Sequence, residues 1–200
     1  MGKLIFIILI TIGCLGLVAQ VSFPTKIGTT IIKPQEGDSI LWSEGRKLNW
    51  DDFKSNVYPN KDYLSASTVT IDVNCYCDKG KYNWKAEALF SKSMSWVKNG
   101  KSTDYVLQHE QNHFNLTEVY ARRIRKECVL YSNPCANLEK LKSIIDGLKE
   151  KYDKEQLRYD LETKHGGNKT AQKKWEEDIK KQLKELDAYK RDKNYTPPKK

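Results

Sequence analysis

Histidine is scarce in this 200-residue chain, which has only three, all in its second half. Methionine (2) and proline (6) are also few, and the one strongly apolar run covers residues 4–12. A protein with several membrane-spanning helices is excluded, because each span needs about 20 apolar residues. Full disorder is excluded by 5 Trp, 11 Tyr and 5 Phe, which can build a core. The length suits a single domain.

The N-terminus predicts an export signal. Lys3 precedes the apolar run at residues 4–12, and small residues follow as far as Ala19. The run is too short to span a bilayer, so we expect residues 1–20 to be cleaved and the protein to be periplasmic or secreted. Cleavage before Cys14 would instead give a lipoprotein, and membrane association is expected only in that case.

The net charge of +9, from 35 basic and 26 acidic residues, makes nucleic acid the first partner to consider. The distribution of the charges argues against it, because basic and acidic residues interleave along most of the chain. Only residues 190–200 are basic with little acidic offset, and we interpret them as a solvated tail. We therefore expect no nucleic-acid partner. Between the predicted signal and the tail, residues 21–189 are expected to form a single domain.

Cysteine usage agrees with export. Beyond the predicted signal the chain has four cysteines: Cys75, Cys77, Cys128 and Cys135. An even set in an oxidising compartment favours two disulfides, with three possible pairings. A structural zinc site is the alternative, but the C-x-C and C-x6-C spacings match poorly to the usual C-x2-C.

Hydrophobic periodicity predicts strands in the first half of the chain. Residues 68–77 alternate apolar and polar side chains, as a half-buried strand does, and residues 84–90 repeat the alternation after Lys79-Gly80. The two segments should therefore form an antiparallel pair. Shorter strands are predicted at residues 25–33, 39–42 and 93–97.

The second half of the chain has the period of helices. Thr103 can cap a first helix at residues 104–131, which no Pro or Gly interrupts. A second helix is predicted at about 136–160, with one narrow apolar stripe suited to packing along another helix. A third follows at about 171–189. Strands followed by helices indicate the α+β class rather than alternating α/β.

The first helix contains the sequence H-E-x-x-H, from His109 to His113. Residues four apart project from the same face of a helix, so both imidazoles can bind one metal ion, with Glu110 beside them. Two imidazoles and a third protein ligand leave zinc a position for water, whose pKa falls toward about 7. The motif thus predicts a Zn²⁺ site with Glu110 as the general base. The competing interpretation, a chance string on a solvated helix, does not account for its agreement with the helical context and the export signal.

The third ligand must come from elsewhere, and the candidates are Glu118, Asp160, Glu162 and His165. Glu118 lies about 140° round the helix from His113, so it can contribute only if the helix distorts. A second helix that returns antiparallel comes level with the site near Lys154, which brings residues 160–165 within reach. We expect His165 to be the third ligand. Asp160 is then a carboxylate that holds an imidazole, or the alternative ligand.

Three groups of residues, spread over residues 39–186, recur together in one known family. They are Leu48-Asn49-Trp50-Asp51-Asp52-Phe53, the run from His109 to Phe114, and Tyr159-Asp160-x-x-Thr163-x-His165-Gly166 with the later Gln172 and Trp175. On these residues the chain resembles a family of exported bacterial proteins that look like zinc peptidases and are largely uncharacterised. The resemblance implies a zincin-like fold with His109, His113 and Glu110 in their usual roles. It supplies no substrate. The third-ligand extensions of metzincins and thermolysin-type enzymes are absent.

The sequence therefore predicts an exported zinc metallopeptidase acting on a peptide or protein substrate. Glu110 is expected to take a proton from the attacking water and pass it to the leaving amine. Tyr159 is predicted to stabilise the oxyanion, and an edge strand at residues 93–97 to bind an extended substrate. The alternative hypothesis is a catalytically inactive cell-envelope binding or scaffolding protein with a structural or vestigial zinc site.

Overall fold

The computed structural model describes residues 37–57 and 63–191, all within one compact unit. A three-stranded antiparallel sheet precedes three helices, which confirms the predicted α+β class. The elements are β1 (Ser39–Leu41), β2 (Ser65–Asp78), β3 (Lys81–Val97), α1 (Asp104–Leu130), α2 (Leu138–Thr163) and α3 (Lys169–Glu185), with 3-10 turns at Trp50–Asp52 and Asp187–Tyr189.

Several predictions from the sequence fall outside the described residues. They are the export signal at residues 1–20, the strand at 25–33 and the basic tail beyond Arg191. Within the described residues, no helix is both long enough and apolar enough to cross a membrane.

The sheet has the order β1-β3-β2, so β3 is central. The predicted hairpin is present: Lys79 and Gly80 both have positive φ, as the tight turns that join twisted strands require. A separate edge strand at residues 93–97 was a wrong prediction. This segment is the end of β3 and pairs with the start of β2, Val97 opposite Ser65, after an irregularity in the pairing near Ala66.

The helix α1 crosses the fold between the sheet and the other two helices. The Thr103 hydroxyl accepts a hydrogen bond from the Val106 amide and caps the first turn. Side chains on most sides of α1 are buried, and its apolar ones join the core around Phe90 and Phe114. This burial fixes the direction in which each motif side chain points.

The cysteines form one of the two predicted disulfides. Cys77 on β2 is bonded to Cys135 in the connection between α1 and α2. Cys75 is a half-buried free thiol and Cys128 a buried one, so the second predicted disulfide is absent from the described residues. Burial raises the pKa of the Cys128 thiol to about 11, which keeps it protonated and poorly reactive at neutral pH.

A buried ion cluster joins α1 to its neighbours. Glu118 accepts hydrogen bonds from Arg122 Nε (2.9 Å) and from Arg125 Nη1 (2.8 Å). Arg125 also donates to the Ala86 carbonyl of β3, and Arg122 to the Leu183 carbonyl in α3. The three charged side chains are at most 6% exposed. Glu118 is therefore committed to the arginines and is not a metal ligand.

Candidate metal centre

Three side chains converge where α1 packs against α2. Nε2 of His109 and Nε2 of His113 lie 3.3 Å apart, and each is 3.1 Å from Oδ1 of Asp160. The ligand atoms of these three residues all lie within 4.8 Å of one another. His109, His113 and Asp160 form a group that could hold a metal ion, and we call these three residues the metal group.

The antiparallel return of α2 brings Asp160 to the motif. Side chains four residues apart on α2 meet side chains four residues apart on α1: Gln156 contacts His113 and Asp160 contacts His109. Spacing of four keeps residues on one face of each helix, so the two faces meet in register. The length estimate made from the sequence brought residues 160–165 within reach, and the structure places Asp160 at the site.

Gln156 fixes the orientation of the His113 ring. Its Nε2 donates to the His113 carbonyl (3.0 Å), so its Oε1 faces Nδ1 of the ring at 2.6 Å and accepts the proton there. In neutral His113, Nε2 is then an acceptor that faces a second acceptor, the Asp160 carboxylate, at 3.1 Å. Two acceptors at this distance repel each other unless a cation lies between them.

The pKa values of His113 and Asp160 also indicate that positive charge is favoured at this centre. Burial alone would lower the pKa of His113, but the adjacent Asp160 carboxylate outweighs burial and raises it. Burial alone would raise the pKa of Asp160, but its contacts with the rings of His109 and His113 hold it below its usual range. The carboxylate is therefore ionised and oriented toward the two imidazoles.

Glu110 is held by the start of β2. Its Oε1 accepts a hydrogen bond from the Ser65 hydroxyl (2.6 Å), and its Oε2 accepts one from the Ser67 amide (2.8 Å). The Glu110 side chain is almost completely buried. Both carboxylate oxygens thus have fixed partners on the sheet, which sets the position of the predicted general base.

A cavity of about 120 Å³ lies beside the metal group, between the start of β2, the start of α1 and the end of α2. Ser67, Val106, Glu110 and His165 contribute to its wall, together with His109, His113 and Asp160. The predicted base and the metal group therefore face one small common space.

The structure places His165 beside Asp160 rather than in the metal group. His165 Nδ1 is 3.3 Å from Asp160 Oδ1, and its ring packs 4.3 Å from that of Tyr63. The backbone has positive φ at Lys164, His165 and Gly166 in succession, a strained conformation for the first two. Asp160 thus takes the position expected of the third ligand, and His165 the supporting position expected of Asp160.

Tyr159 does not lie where the oxyanion prediction requires it. Its side chain is fully buried, its ring stacks on His109 at 4.7 Å, and its hydroxyl donates to the His109 carbonyl. Burial raises the pKa of Tyr159 far above its usual value, so the hydroxyl stays protonated. Tyr159 packs against the His109 ring and does not line the cavity.

Gln156, Ser65 and Ser67 orient the site, and sequence reasoning did not identify them. The two serines lie on a strand more than forty residues from Glu110. Their contacts arise only when β2 packs beside α1, which no local pattern reports. Gln156 had one usable signal, its position four residues before Asp160 on the helix face that returns to the motif.

Comparison with models of protein families gives a match. A family model described as Bacterial protein of unknown function (DUF922) matches residues 42–166, a span that contains the whole metal group and His165. No curated protein matches the chain, and no solved structure does.

Proposed function

The chain belongs to the family of bacterial proteins of unknown function DUF922, whose description gives no activity, and from the geometry of the metal group we propose that it is a zinc-dependent metallopeptidase. In this proposal the enzyme is exported, acts in the periplasm or outside the cell, and cleaves a peptide or protein. His109, His113 and Asp160 would hold the zinc ion, and Glu110 would be the general base.

The observation that carries the proposal is the spacing of the three ligand atoms. A tetrahedral zinc ion with ligands at about 2.0–2.1 Å needs those ligands about 3.3 Å apart. The three atoms are 3.1, 3.1 and 3.3 Å apart. Two imidazole nitrogens and one carboxylate oxygen are also a zinc-type donor set, whereas Mg²⁺ and Ca²⁺ prefer oxygen ligands.

Each residue would have a separate task in hydrolysis. Bound zinc would lower the pKa of a water molecule and polarise the substrate carbonyl. Glu110, facing the same cavity, would accept the proton of the attacking water and deliver it to the leaving amine. His165, partly exposed and also in the cavity wall, would bind the carbonyl oxygen of the substrate, in place of Tyr159.

A second candidate function is supported by the burial of Glu110. Both of its oxygens already accept hydrogen bonds, its side chain is 2% exposed, and the cavity holds only a few water molecules' volume. These features also suit a cell-envelope binding or scaffolding protein whose zinc is structural. The two functions differ in one measurable property, which is turnover.

Metal removal tests the proposed activity. We expect purified protein to contain one zinc ion and to cleave members of a mixed peptide library. A chelator should reduce cleavage to background, because the ligand set alone cannot polarise a carbonyl. Zn²⁺ should restore it and Mg²⁺ should not. Stoichiometric zinc without cleavage of any peptide would favour the scaffolding function instead.

Substitution of the two competing third ligands tests the assignment of Asp160. Losing a residue that supports a ligand costs about 10- to 100-fold in metal affinity, and losing a ligand costs more. We therefore expect Asp160→Ala to weaken zinc binding more than 100-fold and His165→Ala about 10-fold, measured by competition with a chromophoric chelator. Glu162→Ala is the control and should bind zinc as wild type does, since Glu162 accepts a hydrogen bond from Trp175 on α3. The reverse order for Asp160 and His165 would make His165 the third ligand.

A further inference from the structure

Two buried polar atoms without partners lie beside the metal group. Nδ1 of His109 and Oε1 of Gln172 have no hydrogen-bond partner among the described residues. Both side chains are almost completely buried, at 4% and 2% exposure. An unpaired buried donor or acceptor is destabilising, so two of them in one place call for an explanation.

The Gln172 amide oxygen and the His109 ring both border Gly166. A Cβ on Gly166 would lie 3.5 Å from Gln172 Oε1 and 3.5 Å from Cγ of His109, the ring atom to which Nδ1 is bonded. Gly166 also has a φ of +82°, a conformation that favours glycine. Because this residue has no side chain, the space between the Gln172 amide and the His109 ring is not filled by a Cβ at this position.

The orientation of Gln172 is set by its other contacts. Asn168 caps α3 by accepting a hydrogen bond from the Ala171 amide, which fixes the first turn that contains Gln172. The Gln172 Nε2 donates to the Tyr105 carbonyl (3.4 Å). Its amide oxygen is therefore the atom turned toward Gly166 and His109.

Zinc on Nε2 of a histidine requires the ring proton on Nδ1, where an acceptor normally holds it. His113 has such an acceptor in Gln156, whereas Nδ1 of His109 is within hydrogen-bond distance of no acceptor in the part of the chain that the structure describes. We propose that Gln172 accepts the Nδ1 proton of His109, directly or through one buried water, and so holds the tautomer that binds metal. Gln172 is then a positioning residue. This inference rests on the proposed zinc site.

Zinc affinity and histidine NMR test the role of Gln172. We expect Gln172→Leu to weaken zinc binding about 10- to 100-fold, the range for a residue that supports a metal ligand. Gln172→Glu keeps an acceptor oxygen and should bind zinc within about 10-fold of wild type. Gln182→Leu makes the same change on the same helix and should not alter zinc affinity. The Gln182 side chain accepts a hydrogen bond from Arg123.

In zinc-loaded protein with ¹⁵N-labelled histidine, the Nδ1 proton of His109 should be protected from exchange and should show a cross-peak to the residue 172 side chain or to one buried water. Gln172→Leu should remove that protection and leave the corresponding His113 proton unchanged. Equal zinc affinity in Gln172→Leu, or equal exchange, overturns the role of Gln172 alone. If Gln172→Leu does not fold, the wild-type cross-peak and Gln172→Glu decide. A wild-type protein that binds no zinc overturns the proposed function, and this inference with it.

Discussion

Glu110→Gln is expected to reduce peptide hydrolysis by about 10²- to 10⁴-fold, the usual contribution of a general base. Zinc affinity should stay within a few-fold of wild type, because Glu110 is not one of the three residues that could hold the metal. The fold should also survive. The glutamine has nearly the shape of glutamate, and the Ser65 hydroxyl, now a donor to Glu110, can turn to accept from the new amide.

The measurement is kcat/KM on a peptide that the wild-type protein cleaves, with zinc content determined on the same samples. Glu127→Gln, the same change near the other end of α1, serves as the matched control and should keep full activity. Unchanged hydrolysis in Glu110→Gln would exclude Glu110 as the base. If zinc-loaded wild-type protein has no activity, Glu110→Gln cannot be compared with it, and the scaffolding function is favoured.

Glu118→Gln should be the most destabilising single substitution proposed here, with a loss of about 3–5 kcal/mol in the free energy of unfolding. The change leaves Arg122 and Arg125 as buried cations without their shared carboxylate. It also loosens their hydrogen bonds to β3 and α3. Destabilisation should occur with or without zinc, since Glu118 is not part of the metal group.

Urea unfolding of the zinc-free protein measures this effect. The control is Glu139→Gln, which removes one partner of an exposed ion pair with Lys142 and should leave the unfolding midpoint unchanged. Equal midpoints for Glu118→Gln and wild type would mean that the arginines find other partners, and that the cluster does not stabilise the fold.

The sequence predicted the elements that depend on local patterns. The motif helix was expected at residues 104–131 and is Asp104–Leu130, because a cap and an unbroken apolar period define it. The hairpin was predicted for similar reasons, since strand alternation and a Lys79-Gly80 turn are both local. Helix geometry argued against a metal contact for Glu118, but its burial and its pairing with Arg122 and Arg125 were not predicted, because they depend on the packed fold.

The third ligand depended on where α2 ends, and sequence patterns locate helix ends poorly. The predicted helix ended at residue 160, which left Asp160 and His165 equally free to turn toward the motif. In the structure α2 continues to Thr163. Asp160 therefore lies within the helix, on the face that carries Gln156, and His165 follows in the left-handed turn.

The disulfide could not be assigned from the sequence for a related reason. Cys75 and Cys77 share one face of β2, so alternation alone treats them alike. Only the position of the α1 to α2 connection, beside the hairpin end of the sheet, selects Cys77 as the partner of Cys135.

The groups that hold Glu110 and the residues that could hold a metal ion lie in different parts of the fold. All three side chains that could hold a metal ion belong to α1 and α2, which follow each other in the chain. The groups that restrain Glu110 belong to the sheet. A substitution at Ser65 would therefore alter the restraint on Glu110 and leave all three of those residues in place.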